Sequence, residues 1–89
     1  MKLIFSENAW QDYHHWRTAE PKVFERLNDL IREASRTHFK GTGKPEPLKG
    51  DLSGWWSRRI TQGDRLVYRV SGSGEGQALE IAQCRYHYR

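Results

Sequence analysis

Cysteine occurs once in these 89 residues, at Cys84. A single thiol forms no intramolecular disulfide and cannot build a Cys-based zinc site, which points to a reducing compartment. Long apolar runs are missing as well. Nothing approaches the roughly 20 residues that span a bilayer. The opening MKLIFSENAW has too short an apolar stretch for the core of a signal peptide and reads as a first strand. A cytoplasmic protein with no membrane partner is therefore expected. Hydrophobic residues make up only 36% of the chain, and mean hydropathy is -0.92, so the core has to be small. Four Trp, four Tyr and three Phe supply much of its area. There are no repeats and no linker, and one domain spanning residues 1-89 is expected. Proline is scarce too, with three in all, yet two of them flank Glu46 in GTGKPEPLKGDLSG.

What the chain does have is positive charge in one place. The formal net charge is +4. Residues 1–35 carry five Lys/Arg against six acids, residues 36–69 carry eight against three, and residues 70–89 carry two of each. Charge concentrated in the central third describes a basic face, which suits a polyanion such as RNA and reads equally as a merely solvated face.

Apolar spacing gives a coarse fold. Lys2 to Phe5 is strand-like, and Ser6 is a suitable N-cap for a helix carrying Ala9, Tyr13 and Trp16 on one stripe. Pro21 opens a second helix with Val23, Phe24, Leu27, Leu30, Ile31 and Ala34 on its apolar face. Residues 38–53 form a long loop punctuated by Gly and Pro. Strands are expected at Trp55–Thr61, Arg65–Val70 and Ala78–Tyr86, the last two joined by the SGSGEGQ loop. The expected fold is α+β, ordered β-α-α-β-β-β, with an antiparallel sheet covered on one face by a helical hairpin. The other face is left open, with Arg65 and Arg69 projecting there.

Metal-free RNA cleavage needs a base for the 2′-hydroxyl, cations for the charged phosphorane and an acid for the departing 5′-oxygen. Glu46 suits the first task, since a proline on each side holds it in extended backbone. Arg59, Arg65 and Lys49 suit the second, because a guanidinium fork engages two phosphate oxygens at once. His87 suits the third. Lys44 and Arg58 add cations nearby, and Trp55, Trp56, Tyr86 and Tyr88 are candidates to stack on bases. Each feature also has a plainer reading. Taken alone, a residue such as Glu46 is more often a surface turn residue, a pair such as Arg58-Arg59 more often solvated, a histidine such as His87 more often exposed and idle, and the tryptophans more often core or interface. His14, His15 and His38 have no metal-ligand spacing, and Cys84 reads as a small buried apolar residue.

MKLIFSENAWQDYHHW, RTHFKGTGKPEPLKGDLSGWWSRRITQGDRLVYRV and CRYHY together resemble the YoeB toxins of bacterial type II toxin–antitoxin systems, within the RelE superfamily. The resemblance covers nearly the whole chain. It implies a microbial-ribonuclease-like fold and a ribosome-dependent endoribonuclease that cuts mRNA in the ribosomal A site. It also implies Glu46 as general base, His87 as general acid, Arg65 as main phosphate-stabilising residue and Tyr88 as a shaper of the site, with Lys49 and Arg59 in support. It implies no cofactor and no metal. The partners it implies are a cognate YefM-type antitoxin, ribosome and mRNA, operator DNA only through the antitoxin, and a possible homodimer. Two other functions stay open: a non-catalytic RNA- or ribosome-binding module, and an antitoxin-dependent transcriptional corepressor. Arg89 beyond Tyr88 and a longer SGSGEGQ loop depart from the family pattern.

Overall fold

The computed structural model describes residues 1–87; Tyr88 and Arg89 lie outside the described residues. In chain order the elements are β1 (Lys2–Phe5), α1 (Glu7–Ala19), α2 (Pro21–Arg36), β2 (Glu46–Pro47), β3 (Trp56–Arg59), β4 (Arg65–Ser71) and β5 (Ala78–Gln83). The five strands form one sheet in the order β1-β5-β4-β3-β2. The meander β3-β4-β5 is antiparallel as expected, but the sheet is mixed, because β1 pairs parallel to β5. Short connections fix the hand of the meander, whereas two helices separate β1 from the rest and leave its direction free. β2 is a further strand that the sequence reading assigned to loop.

Local chemistry explains the helix boundaries. Ser6 caps α1: its Oγ accepts the Ala9 N–H at 3.0 Å and donates to the Ala82 carbonyl at 2.8 Å, tying the helix to β5. Pro21 opens α2, where no N–H is needed. The α2 stripe Leu27, Leu30, Ile31 and Ala34 packs with Ala9 and Trp16 of α1 against Leu66, Tyr68, Leu79, Ile81 and Cys84. A bulge in β5 shapes this core. Tyr68 faces Ile81 and Val67 faces Gln83, so Ala82 is the extra residue. Leu79 and Ile81 lie on the helix side, Gln83 turns to the opposite face, and Cys84 returns to the core. The cysteine is buried, as expected.

Under the helices lies a polar knot centred on Arg58, which has 0% exposure. Alternation puts Arg58 on the helix side of β3, opposite Leu66. Its Nε donates to Tyr68 Oη at 3.0 Å, its Nη1 to the Thr42 carbonyl at 3.1 Å, and its Nη2 to the carbonyls of Thr37 and Lys40 at 2.5 and 3.0 Å. Glu33 Oε2 is 3.3 Å from Nη1. The Tyr68 hydroxyl donates in turn to the His38 carbonyl at 2.6 Å. One guanidinium thus satisfies the carbonyls of Thr37, Lys40 and Thr42 in the 37–42 segment.

Glu33 completes the knot by accepting the Thr42 N–H. That bond, aided by Arg58, holds its carboxyl below the ordinary 4.5. A depressed folded-state value stabilises the fold fully above the unfolded value, and this contribution is lost as pH falls through the folded one. The urea midpoint is therefore expected to drop between pH 6 and pH 3 by less in Glu33→Gln than in the wild type. Equal drops would remove Glu33 from the acid response.

Candidate functional site

The loop after α2 delivers Glu46 to the sheet. Gly43 runs so close to β3 that an added Cβ would sit 3.1 Å from Arg58 Cβ and 3.2 Å from the Arg59 backbone, at a φ of +87°. Only glycine allows that approach. The Gly43 carbonyl then accepts the Arg59 N–H at 2.7 Å. Lys44 follows in a left-handed conformation with φ 51°. Glu46 and Pro47 pair with Ser57 and Trp56 as an edge strand. The extended backbone expected of Glu46 is realised as a strand, and its side chain is exposed.

Register aligns the basic residues with this edge. Glu46 opposes Ser57, and Ser57 opposes Val67, so all three share the face away from the helices. Arg59 and Arg65 oppose each other two residues along the same face. With strands about 4.8 Å apart and a rise of about 3.3 Å per residue, the Glu46 and Arg65 Cα atoms stand on the order of 12 Å apart. A gap of that size between two residues on one face leaves room for one phosphodiester. Arg65 itself is 8% exposed. Its Nη1 is held by the carbonyls of Thr61, Gln62 and Asp64 at 3.0, 3.0 and 3.1 Å. Neither Nε nor Nη2 bonds to another of the described residues.

The C-terminal segment meets this row. Strand pairing stops at Gln83, and both backbone groups of Cys84 are taken by α1. Its N–H donates to Asp12 Oδ2 at 3.2 Å, and its carbonyl accepts from Trp16 Nε1 at 2.7 Å. The chain then turns, with Tyr86 at φ 65°. The Tyr86 carbonyl accepts the Arg65 N–H at 2.8 Å, and the Tyr86 N–H donates to Asp64 Oδ1 at 2.7 Å. Segment 84–87 therefore curls over the sheet face instead of continuing as a strand, contrary to the expected end of β5 at Tyr86. Tyr86, Arg65, Arg59 and Gly43 form one hydrogen-bonded and paired row across four chain segments. That row places exposed His87 one residue from it and Glu46 three residues beyond Gly43. Tyr88 falls outside the described residues.

The remaining candidates divide. Lys44 and Lys49 are exposed on the loop that carries Glu46. Arg59 is exposed, with its carbonyl anchored by Arg26 Nη2 at 2.9 Å. Arg58 is corrected: it faces the core and binds loop carbonyls, so it has no N–H to offer RNA. Arg69 lies four residues from Arg65, paired with Glu80 at 3.1 Å and placed 4.6 Å over the Trp55 ring, away from the row. Trp56 packs at the edge of the core beside Phe39. The open face is also less bare than expected, since Ser57, Val67 and Gln83 are buried there. Asp64 and Gln83, which the sequence reading does not single out, bond to the backbone of the 85–87 turn. A Thr-x-x-Asp turn signals Asp64, and the polar break in ALEIAQC is the one trace of Gln83. No three His, Cys, Asp or Glu side chains converge as metal ligands among the described residues.

Comparison with known proteins shows the family to which the chain belongs. Residues 5–88 match the family model described as the YoeB-like toxin of bacterial type II toxin-antitoxin system. The toxin YoeB of Escherichia coli (strain K12) is 52% identical over 88 residues, covering 99% of this chain and 100% of the relative. A YoeB/ParE toxin from Agrobacterium tumefaciens is 58% identical with a TM-score of 0.95, covering 99% of this chain and 100% of the other. YoeB of Staphylococcus aureus, solved as a dimer and in complex with YefM, is 37% identical with a TM-score of 0.87, covering 99% and 98%.

Proposed function

Because this chain belongs to the YoeB-like toxins of bacterial type II toxin–antitoxin systems, we propose that it is a ribosome-dependent endoribonuclease that cleaves mRNA in the ribosomal A site. The observation that carries the reading is the row joining Tyr86, Arg65, Arg59 and Gly43, with His87 next to Tyr86 in the chain and Glu46 three residues beyond Gly43. Glu46 takes the proton of a 2′-hydroxyl, and the freed oxygen attacks the adjacent phosphorus. Arg65, whose Nη1 is fixed by three carbonyls, presents its other nitrogens to the phosphoryl oxygens as their charge grows. His87 gives a proton to the departing 5′-oxygen. The products are a 2′,3′-cyclic phosphate and a 5′-hydroxyl. Arg59, Lys44 and Lys49 hold flanking phosphates, and Tyr88 shapes the site. No metal or cofactor enters these steps.

The protein acts in the cytoplasm, where ribosomes and mRNA are. A YefM-type antitoxin neutralises it, as the Staphylococcus aureus complex suggests, and operator DNA is reached only through that partner. The S. aureus dimer supports a homodimer as one assembly open to it. Mapping mRNA 5′ ends after induction is expected to reveal new ends inside translated codons, absent with Glu46→Ala. Translation arrest without new ends would replace this reading with a non-catalytic ribosome-binding module. A change in operator affinity alone would favour a corepressor.

A further inference from the structure

One side chain and one turn carboxylate hold the segment that bears His87. Gln83 is 6% exposed, and the Ala82 bulge turns it away from the helices onto the face that carries Arg65. Its Nε2 donates to the Arg85 carbonyl at 2.8 Å and the His87 carbonyl at 2.9 Å, with the Tyr86 carbonyl at 3.4 Å. A carboxamide has two N–H donors, so the two short bonds use both. The third carbonyl is served by the Arg65 N–H. Asp64 supplies the complement: Oδ1 accepts the Tyr86 N–H at 2.7 Å, and Oδ2 accepts from Thr61 Oγ1 at 2.6 Å. Thr61 Oγ1 in turn accepts the N–H groups of Gly63 and Asp64.

The turn needs this support. Tyr86 has φ 65°, a left-handed conformation that is unfavourable for a non-glycine residue. It persists where surrounding bonds over-determine it. Gln83 grips the turn from within its own strand, and Asp64 grips it from the β3–β4 turn. Asp64 is also the neighbour of Arg65, so the same turn orients the guanidinium and the segment carrying the acid.

We propose that Gln83 and Asp64 are positioning residues that clamp the Arg85–His87 turn and so set the place of His87 relative to Arg65. The proposal rests on the reading of His87 as general acid. Neither residue touches RNA; both act through the backbone of the turn. The test is single-turnover cleavage of mRNA on programmed ribosomes by the full chain, with amide hydrogen exchange at Tyr86 measured on the same proteins. Gln83→Ala is expected to lower the cleavage rate constant by about 10–100-fold, with half-saturation unchanged, since small misplacements of reacting groups cost that much. In a His87→Ala background the same change is expected to cost less than about 2-fold, because residues acting through one another are not additive. Asp64→Ala is expected to behave alike, and Asp64→Asn, which keeps an acceptor for the Tyr86 N–H, to recover most of the loss.

Wild-type cleavage by Gln83→Ala, or a loss that multiplies undiminished onto His87→Ala, would overturn the proposal. If Gln83→Ala does not fold, Asp64→Ala is judged by the same two criteria. If the wild-type chain cuts no mRNA, the functional reading fails and the positioning role fails with it. Tyr86 exchange then reports separately whether the clamp itself exists, with unchanged protection in both variants denying it.

Discussion

Arg58→Ala is expected to destabilise the fold by about 3–5 kcal/mol, the cost of breaking a buried, hydrogen-bonded ion pair from one side. The guanidinium serves Tyr68 and the carbonyls of Thr37, Lys40 and Thr42, and it faces Glu33. Its removal strands several acceptors in a site that water enters poorly, besides leaving a cavity. For a domain of this size about 4–8 °C is lost per kcal/mol, so the melting temperature should fall by at least about 12 °C. Arg58→Lys should rescue little, because one ammonium cannot reach acceptors spread around a planar fork. Equilibrium urea unfolding measures both. A midpoint for Arg58→Ala equal to the wild type would show that the knot contributes nothing. The segment released is the one leading to Gly43 and Glu46, so residual folded protein should also cleave poorly.

His87→Ala and Glu46→Ala are each expected to slow cleavage by about 10²–10⁴-fold, the usual range for a positioned acid or base. A chemical substitution in the RNA separates the two roles. Replacing the bridging 5′-oxygen at the scissile bond by sulfur gives a leaving thiolate whose conjugate acid has a pKa of about 8.5, so it departs without protonation. On that substrate His87→Ala should regain most of the wild-type rate and Glu46→Ala should not, because the 2′-hydroxyl still has to lose its proton. Rescue of Glu46→Ala instead would exchange the two assignments. Rescue of neither would take His87 out of the leaving-group step.

Much of this arrangement is legible in the residues, and the illegible parts share a cause. Two prolines keep Glu46 extended, and the structure makes it an edge strand opposite Ser57. The α2 stripe and the β4 alternation were readable, since burial on one face writes itself at fixed spacing. The same alternation, followed from Trp56 through Arg58 to Ile60, puts Arg58 on the core side. The twin-arginine appearance of Arg58-Arg59 hid that, and only the folded loop shows which carbonyls make the burial tolerable. The Ala82 bulge has no glycine to announce it, and Tyr86 adopts a left-handed conformation without one. Both are set by contacts between segments far apart in sequence. The direction of β1 is of the same kind, decided by a strand more than seventy residues away.

That last pairing also bears on the order of assembly. β5 is last of the strands in chain order, yet it lies between β1 and β4 in the sheet. A chain emerging from a ribosome N-terminus first has a helical hairpin early, but β1 finds its neighbour only when β5 arrives. Long-range parallel pairing of this sort is slow to form. The turn that carries His87 follows β5 and docks on the finished sheet through the bond from the Arg65 N–H to the Tyr86 carbonyl. A nascent chain therefore has the proposed base and its cations before the proposed acid is in place, so the proposed site is assembled only when the sheet closes.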